Sequence, residues 1–102
     1  MTTEPPNIVL NEATHRFEWT VDGHTAYEVF ERFPGGIPYL HTIVPKELAG
    51  RGIGGTLVRH ILDYAAAQGL KVRPDCPFVK AYIDKHPEYQ ANSLAHGAQG
   101  AA

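Results

Sequence analysis

The chain has a single cysteine, no apolar run longer than a few residues, and no surplus of positive charge. One thiol, Cys76, excludes an internal disulfide. It also excludes structural zinc of the Cys₄ or Cys₂His₂ type. The apolar runs fall far short of the ~20 residues that span a bilayer, so no membrane association is expected. The opening MTTEPPN has neither a basic start nor an apolar core, so no secretory signal is expected and the default location is cytoplasmic. A net charge of −2 argues against a nucleic-acid binder, which carries a basic excess. His15, His24, His41, His60, His86 and His96 show no HExxH or HxH spacing, so no metal is expected.

What remains is an ordinary globular composition. Of 102 residues, 43% are hydrophobic and 20% charged, which suits one domain with one modest core. A two-domain dehydrogenase does not fit in this length. Charge is unevenly placed. Residues 1–50 hold three Lys/Arg and seven Asp/Glu, whereas residues 51–102 hold six and four.

Ile8-Val9-Leu10 is a short apolar run. From His15 to Val21 the chain alternates, with Phe17, Trp19 and Val21 on one face. Asp22-Gly23 signals a two-residue hairpin. The return strand runs from His24 to Phe33, and its alternation sets Ala26 and Glu28 against Tyr27, Val29, Glu31 and Phe33. Pro34-Gly35-Gly36 marks a second turn. Ile37 to Val44 reads as a long strand ended by Pro45. Phe17, Trp19, Phe30 and Phe33 are expected in the sheet core.

The period then changes. Ile53, Leu57, Val58, Ile61, Leu62 and Ala65 form a helical stripe, closed by the C-cap signal Gln68-Gly69. Residues 70–73 read as a short strand. Pro77 suits the first turn of a helix carrying Phe78, Val79, Tyr82 and Ile83, and His86-Pro87 stops it. The order is β-β-β-(β)-α-β-α. The domain is expected over residues 7–91, with a flexible lead-in at 1–6 and a disordered tail at 92–102.

Gly50-Arg51-Gly52-Ile53-Gly54-Gly55 opens the first helix. Glycines let backbone N–H groups approach a ligand closely, and a helix N-terminus adds partial positive charge. Together they suit a pyrophosphate. The stretch also matches GxGxxG, with Asp75 twenty residues beyond Gly55. That fingerprint belongs directly after a parallel strand. Here a Pro-Lys-Glu-Leu-Ala spacer intervenes and the preceding strands are hairpins. A Walker A loop is excluded, since no Lys-Ser/Thr pair follows the glycines.

Residues 44–58, Val-Pro-Lys-Glu-Leu-Ala-Gly-Arg-Gly-Ile-Gly-Gly-Thr-Leu-Val, resemble the acyl-CoA loop of the GNAT superfamily of N-acetyltransferases. Gly52 and Gly54 match the two glycines of that pattern, while Ala49 stands where the family has Arg or Gln. Leu40 to Pro45 and Cys76 to Tyr89 (CPFVKAYIDKHPEY) are similar to very small stand-alone members of this superfamily. The resemblance covers about Asn7 to Tyr89. It implies an α/β (α+β) GNAT-like fold: a mostly antiparallel sheet, splayed central strands at 37–44 and 70–73, and two main helices. It further implies acetyl-CoA in the cleft, with its pantetheine arm along Ile43 and Val44 and its pyrophosphate on Ala49, Gly50, Arg51, Gly52, Ile53, Gly54, Gly55 and Thr56. Cys76, Phe78, Lys80, Tyr82, Lys85 and His86 would line the rest. Arg59 is a further candidate for a phosphate.

The catalytic candidates are Cys76, His41 and Tyr82. Cys76 precedes a helix, whose N-terminus favours thiolate, while Asp75 beside it opposes that effect. His41 is the expected base for the thiol. The alternative is that Cys76 only lines the pantetheine channel. Tyr82, within Tyr82-Ile83-Asp84-Lys85, resembles the family's tyrosine acid that protonates the leaving thiolate. The expected reaction is acetyl transfer to an unidentified amine, by a monomer or weak homodimer. The alternative is a non-catalytic module that senses CoA or acetyl-CoA.

Overall fold

The structure is a computed structural model that describes residues 6–97. Five strands lie in the order β1-β2-β3-β4-β5: Val9–Asn11, Arg16–Val21, His24–Phe30, Gly36–Ile43 and Lys71–Pro74. The first four are antiparallel neighbours and β5 runs parallel to β4. Helices α1 (Ile53–Ala67) and α2 (Pro77–Asp84) pack with them around a single core. No helix among the described residues is long and apolar enough to cross a membrane.

The turns follow their residues. Asp22 (φ 51°) and Gly23 (φ 78°) close the β2–β3 hairpin between the paired Val21 and His24. Two positive φ values in succession match the twist of the flanking strands, which is why Asp-Gly serves here. Pro34-Gly35 turns the chain between Phe33 and Gly36, with Gly35 at φ 80°.

Helix α1 buries Ile53, Leu57, Val58, Ile61, Leu62 and Ala65, the stripe expected from periodicity. It ends in a Schellman arrangement. Gly69 at φ 70° lets Leu70 N–H reach the Ala65 carbonyl (2.8 Å) and Gly69 N–H reach that of Ala66 (3.1 Å). Pro77 occupies the first turn of α2, and that helix ends just before His86-Pro87.

Two departures shape the site. The pairing of β3 with β4 slips between Val29 and Phe30. Val29 faces His41 but Phe30 faces Tyr39, so Leu40 is a bulged extra residue. An extra residue reverses which face later side chains occupy. The chain also continues as secondary structure past residue 91. Buried Ser93 bridges to Val72, and residues 94–96 form a 3₁₀ turn. Ser93 Oγ lies 2.6 Å from His96 Nδ1, and His96 Nε2 lies 2.6 Å from Asp84 Oδ1, so this segment is clasped onto α2. Of the expected tail, residues 98–102 lie outside the described residues, as do residues 1–5 of the lead-in.

Candidate active site

A cleft opens where β4 outruns β5. The two strands pair only from Gly36↔Lys71 to Tyr39↔Pro74. Cys76 N–H then donates to the Tyr39 carbonyl (2.9 Å), and α2 departs at Pro77. Proline at both ends of the connection removes donors that would prolong the ladder. From Leu40 onward β4 therefore has a free edge toward α2.

At the end of that edge sits the glycine loop. Gly52 is the N-cap of α1, in the left-handed region at φ 74° and without a side chain to cap the helix. The first backbone bond of the turn is Thr56 N–H to the Gly52 carbonyl (3.1 Å). The N–H groups of Ile53, Gly54 and Gly55 precede it, so α1 itself offers them no acceptor. The first turn holds no acidic residue. A Cβ built on Gly50 or Gly52 would meet nothing within 4 Å, so the loop backbone faces open space. A groove of about 310 Å³ lies over it, lined by Val44, Leu48, Ala49, Gly50, Gly52, Ile53, Gly54, Gly55 and Phe78. Gly54 has a second use: a Cβ there would stand 2.9 Å from Phe78 Cζ, so its absence seats that ring. Phe78 is nonetheless 47% exposed. An apolar ring left open beside unpaired donors is what a ligand with apolar and anionic parts requires.

Phe78 also walls a smaller hollow of about 160 Å³ with Ala81, Tyr82, Lys85 and His86. The Tyr82 and His86 rings stack at 3.9 Å and 11°. Burial pushes the Tyr82 phenol above its ordinary range. Other candidates point elsewhere. Lys80 is paired with Asp84 (3.1 Å). Arg51 is paired with Asp22 (2.9 Å). Arg59 borders a separate hollow with Thr56, His60 and Asp63.

Cys76 is 3% exposed and is the N-cap of α2, although its sulfur makes no capping bond. The Leu40 bulge decides its neighbour. Simple alternation from buried Tyr39 would bring His41 inward. Instead Thr42 is inward, with Oγ1 3.2 Å from Cys76 Sγ, and His41 is exposed beside Val29. The structure thus does not bring the expected base to the thiol. Nor does it bring Tyr82, six residues along α2 and on the order of 9 Å further by helix rise.

Behind Thr42 lies a group that sequence reasoning missed. Glu28, the register partner of Thr42, is 0% exposed. Its Oε1 accepts a hydrogen bond from the Thr42 hydroxyl, while Oε2 is buried without a partner. Burial pushes the carboxyl up to about 8, against the pull of the hydrogen bond from Thr42.

The sequence model of the GCN5-related N-acetyl-transferase family matches residues 16–92, which include the sheet from β2 onward, the loop, both helices and Cys76. The chain belongs to the GCN5-related N-acetyltransferase family. The solution structure of a GCN5-like protein of Staphylococcus aureus, a candidate N-acetyltransferase, is similar to it at 28% identity and a TM-score of 0.68. That likeness covers 90% of this chain and 91% of the other. The five-stranded sheet and two helices are therefore an acetyltransferase fold, and N-acetyl transfer is its general role. In this acetyltransferase the groove over the glycine loop reaches Val44 and Phe78, while the Cys76 thiol is buried at the start of α2 against Thr42, with Glu28 behind it.

Proposed function

We propose that this acetyltransferase takes its acetyl group from acetyl-CoA and delivers it to a primary amine. The observation that carries this reading is the loop at Gly52: three helix N-terminal N–H groups without intrahelical acceptors, facing a groove that reaches Val44, just past the end of β4. Such donors favour a pyrophosphate. The free edge at Ile43, the last residue of β4, and at Val44 just beyond it suits the amide-bearing pantetheine arm, which can pair with backbone as a strand would. The stacked Tyr82 and His86 rings, with Lys85 beside them, suit the nucleotide end.

When bound, acetyl-CoA supplies a thioester with an electrophilic acyl carbon. Cys76 stands where the strand edge meets α2. Its thiolate takes the acetyl group as the acyl C–S bond to CoA breaks and CoA leaves as its thiolate. The amine then attacks the Cys76 thioester, forming the amide and releasing the Cys76 thiolate. The amine approaches from the face that carries His41 and Ile43, opposite the helices. Holding both partners in one cleft removes much of the entropic barrier to their meeting.

Free thiol released from acetyl-CoA, followed with a thiol reagent, tests this. The acceptors are a lysine peptide, a peptide with a free N-terminus, and a polyamine. At least one should accelerate release by 10-fold or more, and Cys76→Ala should lose that acceleration. Release that no amine accelerates would contradict the reading.

A further inference from the structure

Glu28 is the only charged residue that is fully buried among the described residues. Nothing in the packing asks for it. Its register partner on β2 is Phe17, and Ala26 and Phe30 flank it on the same face of β3. An apolar side chain would avoid the cost of burying Oε2 without a partner. A buried acid with an unpaired oxygen, kept beneath a cleft, is in place for what its other oxygen touches. That oxygen holds the Thr42 hydroxyl, and the Thr42 oxygen lies against the Cys76 sulfur.

This chain of groups has a direction. With Glu28 ionised, Thr42 gives its one hydroxyl proton to the carboxylate, so the lone pairs of Oγ1 face the sulfur and the thiol is the donor. We propose that Glu28 is a positioning residue that accepts the Cys76 proton through the Thr42 hydroxyl. The Cys76 S–H bond breaks as its proton reaches Thr42 Oγ1, and the Thr42 O–H proton passes to Glu28 Oε1. Once Glu28 is ionised, above about 8, one negative charge moves from carboxylate to sulfur, and Thr42 ends as it began. This deepens the proposed function, on which it rests for the use made of the thiolate.

An ordinary glutamate, near 4.5, is a weak base; burial makes Glu28 a stronger one by raising it to about 8. Among the groups that pack around Glu28, none supplies a cation. From β4 come Thr42 and Tyr39, whose phenol donates to the Ile61 carbonyl (2.7 Å) and is itself pushed up by burial. From α2 comes Cys76. The buried residues of α1 are all apolar, and β2 supplies Phe17.

Carbon-13 NMR of the whole protein, following Glu28 Cδ and Cys76 Cβ against pH, tests the relay without acetyl-CoA. Glu28 Cδ should pass through an inflection near 8, and Cys76 Cβ, joined to it through Thr42, should report that Glu28 inflection. Thr42→Val should abolish the Cys76 movement and shift the Glu28 inflection upward, because its side-chain donor is gone. Thr42→Ser should restore both. Glu28→Gln should likewise remove the Cys76 movement, which covers the case in which Thr42→Val does not fold. An identical Cys76 curve in the wild type and in either of these two variants would overturn the relay, as would Glu28 titrating near its ordinary 4.5. Because no ligand is present, failure here leaves acetyl-CoA binding untouched, and failure of acetyl-CoA to bind leaves these curves untouched.

Discussion

Glu28→Gln should flatten the pH dependence of stability between about pH 5 and pH 8. In the folded chain the carboxyl keeps its proton up to about 8, whereas the unfolded one releases it near 4.5. Between these values the folded state binds one more proton, so rising pH favours unfolding. The stability tied to this proton is fully present below 4.5 and is lost as pH climbs through about 8. Each pH unit in that window costs about 1.4 kcal/mol, or about 5 kcal/mol across it. A domain of this size is stable by only about 5–15 kcal/mol, so the effect is large. Gln has nearly the same shape and does not ionise, so the wild type should lose stability relative to Glu28→Gln as pH rises. Urea unfolding of both proteins at pH 5, 6, 7 and 8 gives the difference directly. Parallel stability curves would show that Glu28 ionises normally in the folded chain.

Gly52→Val should weaken acetyl-CoA binding by 100-fold or more. Gly52 lies at φ 74°, where a β-branched residue is strained. The new side chain would also project into the open space above the loop. Two or three charge-assisted bonds from backbone N–H groups, at about 1.5–3 kcal/mol each, are lost if the anion is kept off. Backbone strain alone is separable from this. Gly69→Val imposes similar strain at φ 70° but beyond the opposite end of α1, roughly 25 Å away by helix rise. It should lower stability and leave acetyl-CoA affinity intact. Calorimetric titration of both variants decides the matter, and equal affinities would remove the loop from the site.

Much of this molecule was legible from short-range chemistry. Asp22-Gly23, Gln68-Gly69, Pro77 and His86-Pro87 each act within a few residues, and each sits where its backbone preference places it. The α1 stripe was legible because one face of a helix repeats in sequence. The glycine loop was legible for a different reason: backbone donors at a helix start need no side-chain partners to be recognised.

The floor of the cleft was not legible, because it depends on register. Alternation along His24–Phe33 separates Glu28 from Tyr27 and Val29 but does not say which face is covered, and a glutamate is normally an outward residue. The Leu40 bulge then exchanges His41 for Thr42 beneath Cys76. A bulge is a property of two paired strands, and nothing in residues 37–44 alone announces it. The ordered segment at 92–97 was hidden for a similar reason. Its small and polar residues become structure through Asp84, several residues back on α2.

The measurement that bears most directly on the account is thermal unfolding with and without acetyl-CoA, with intact mass taken on the same sample. At a concentration about 100 times the dissociation constant, binding should add about 2.7 kcal/mol. For a domain of this size that raises the midpoint by roughly 10 °C or more. The mass should gain one acetyl group, and Cys76→Ala should keep the shift and lose the gain. An unchanged midpoint with acetyl-CoA would contradict the account at its centre.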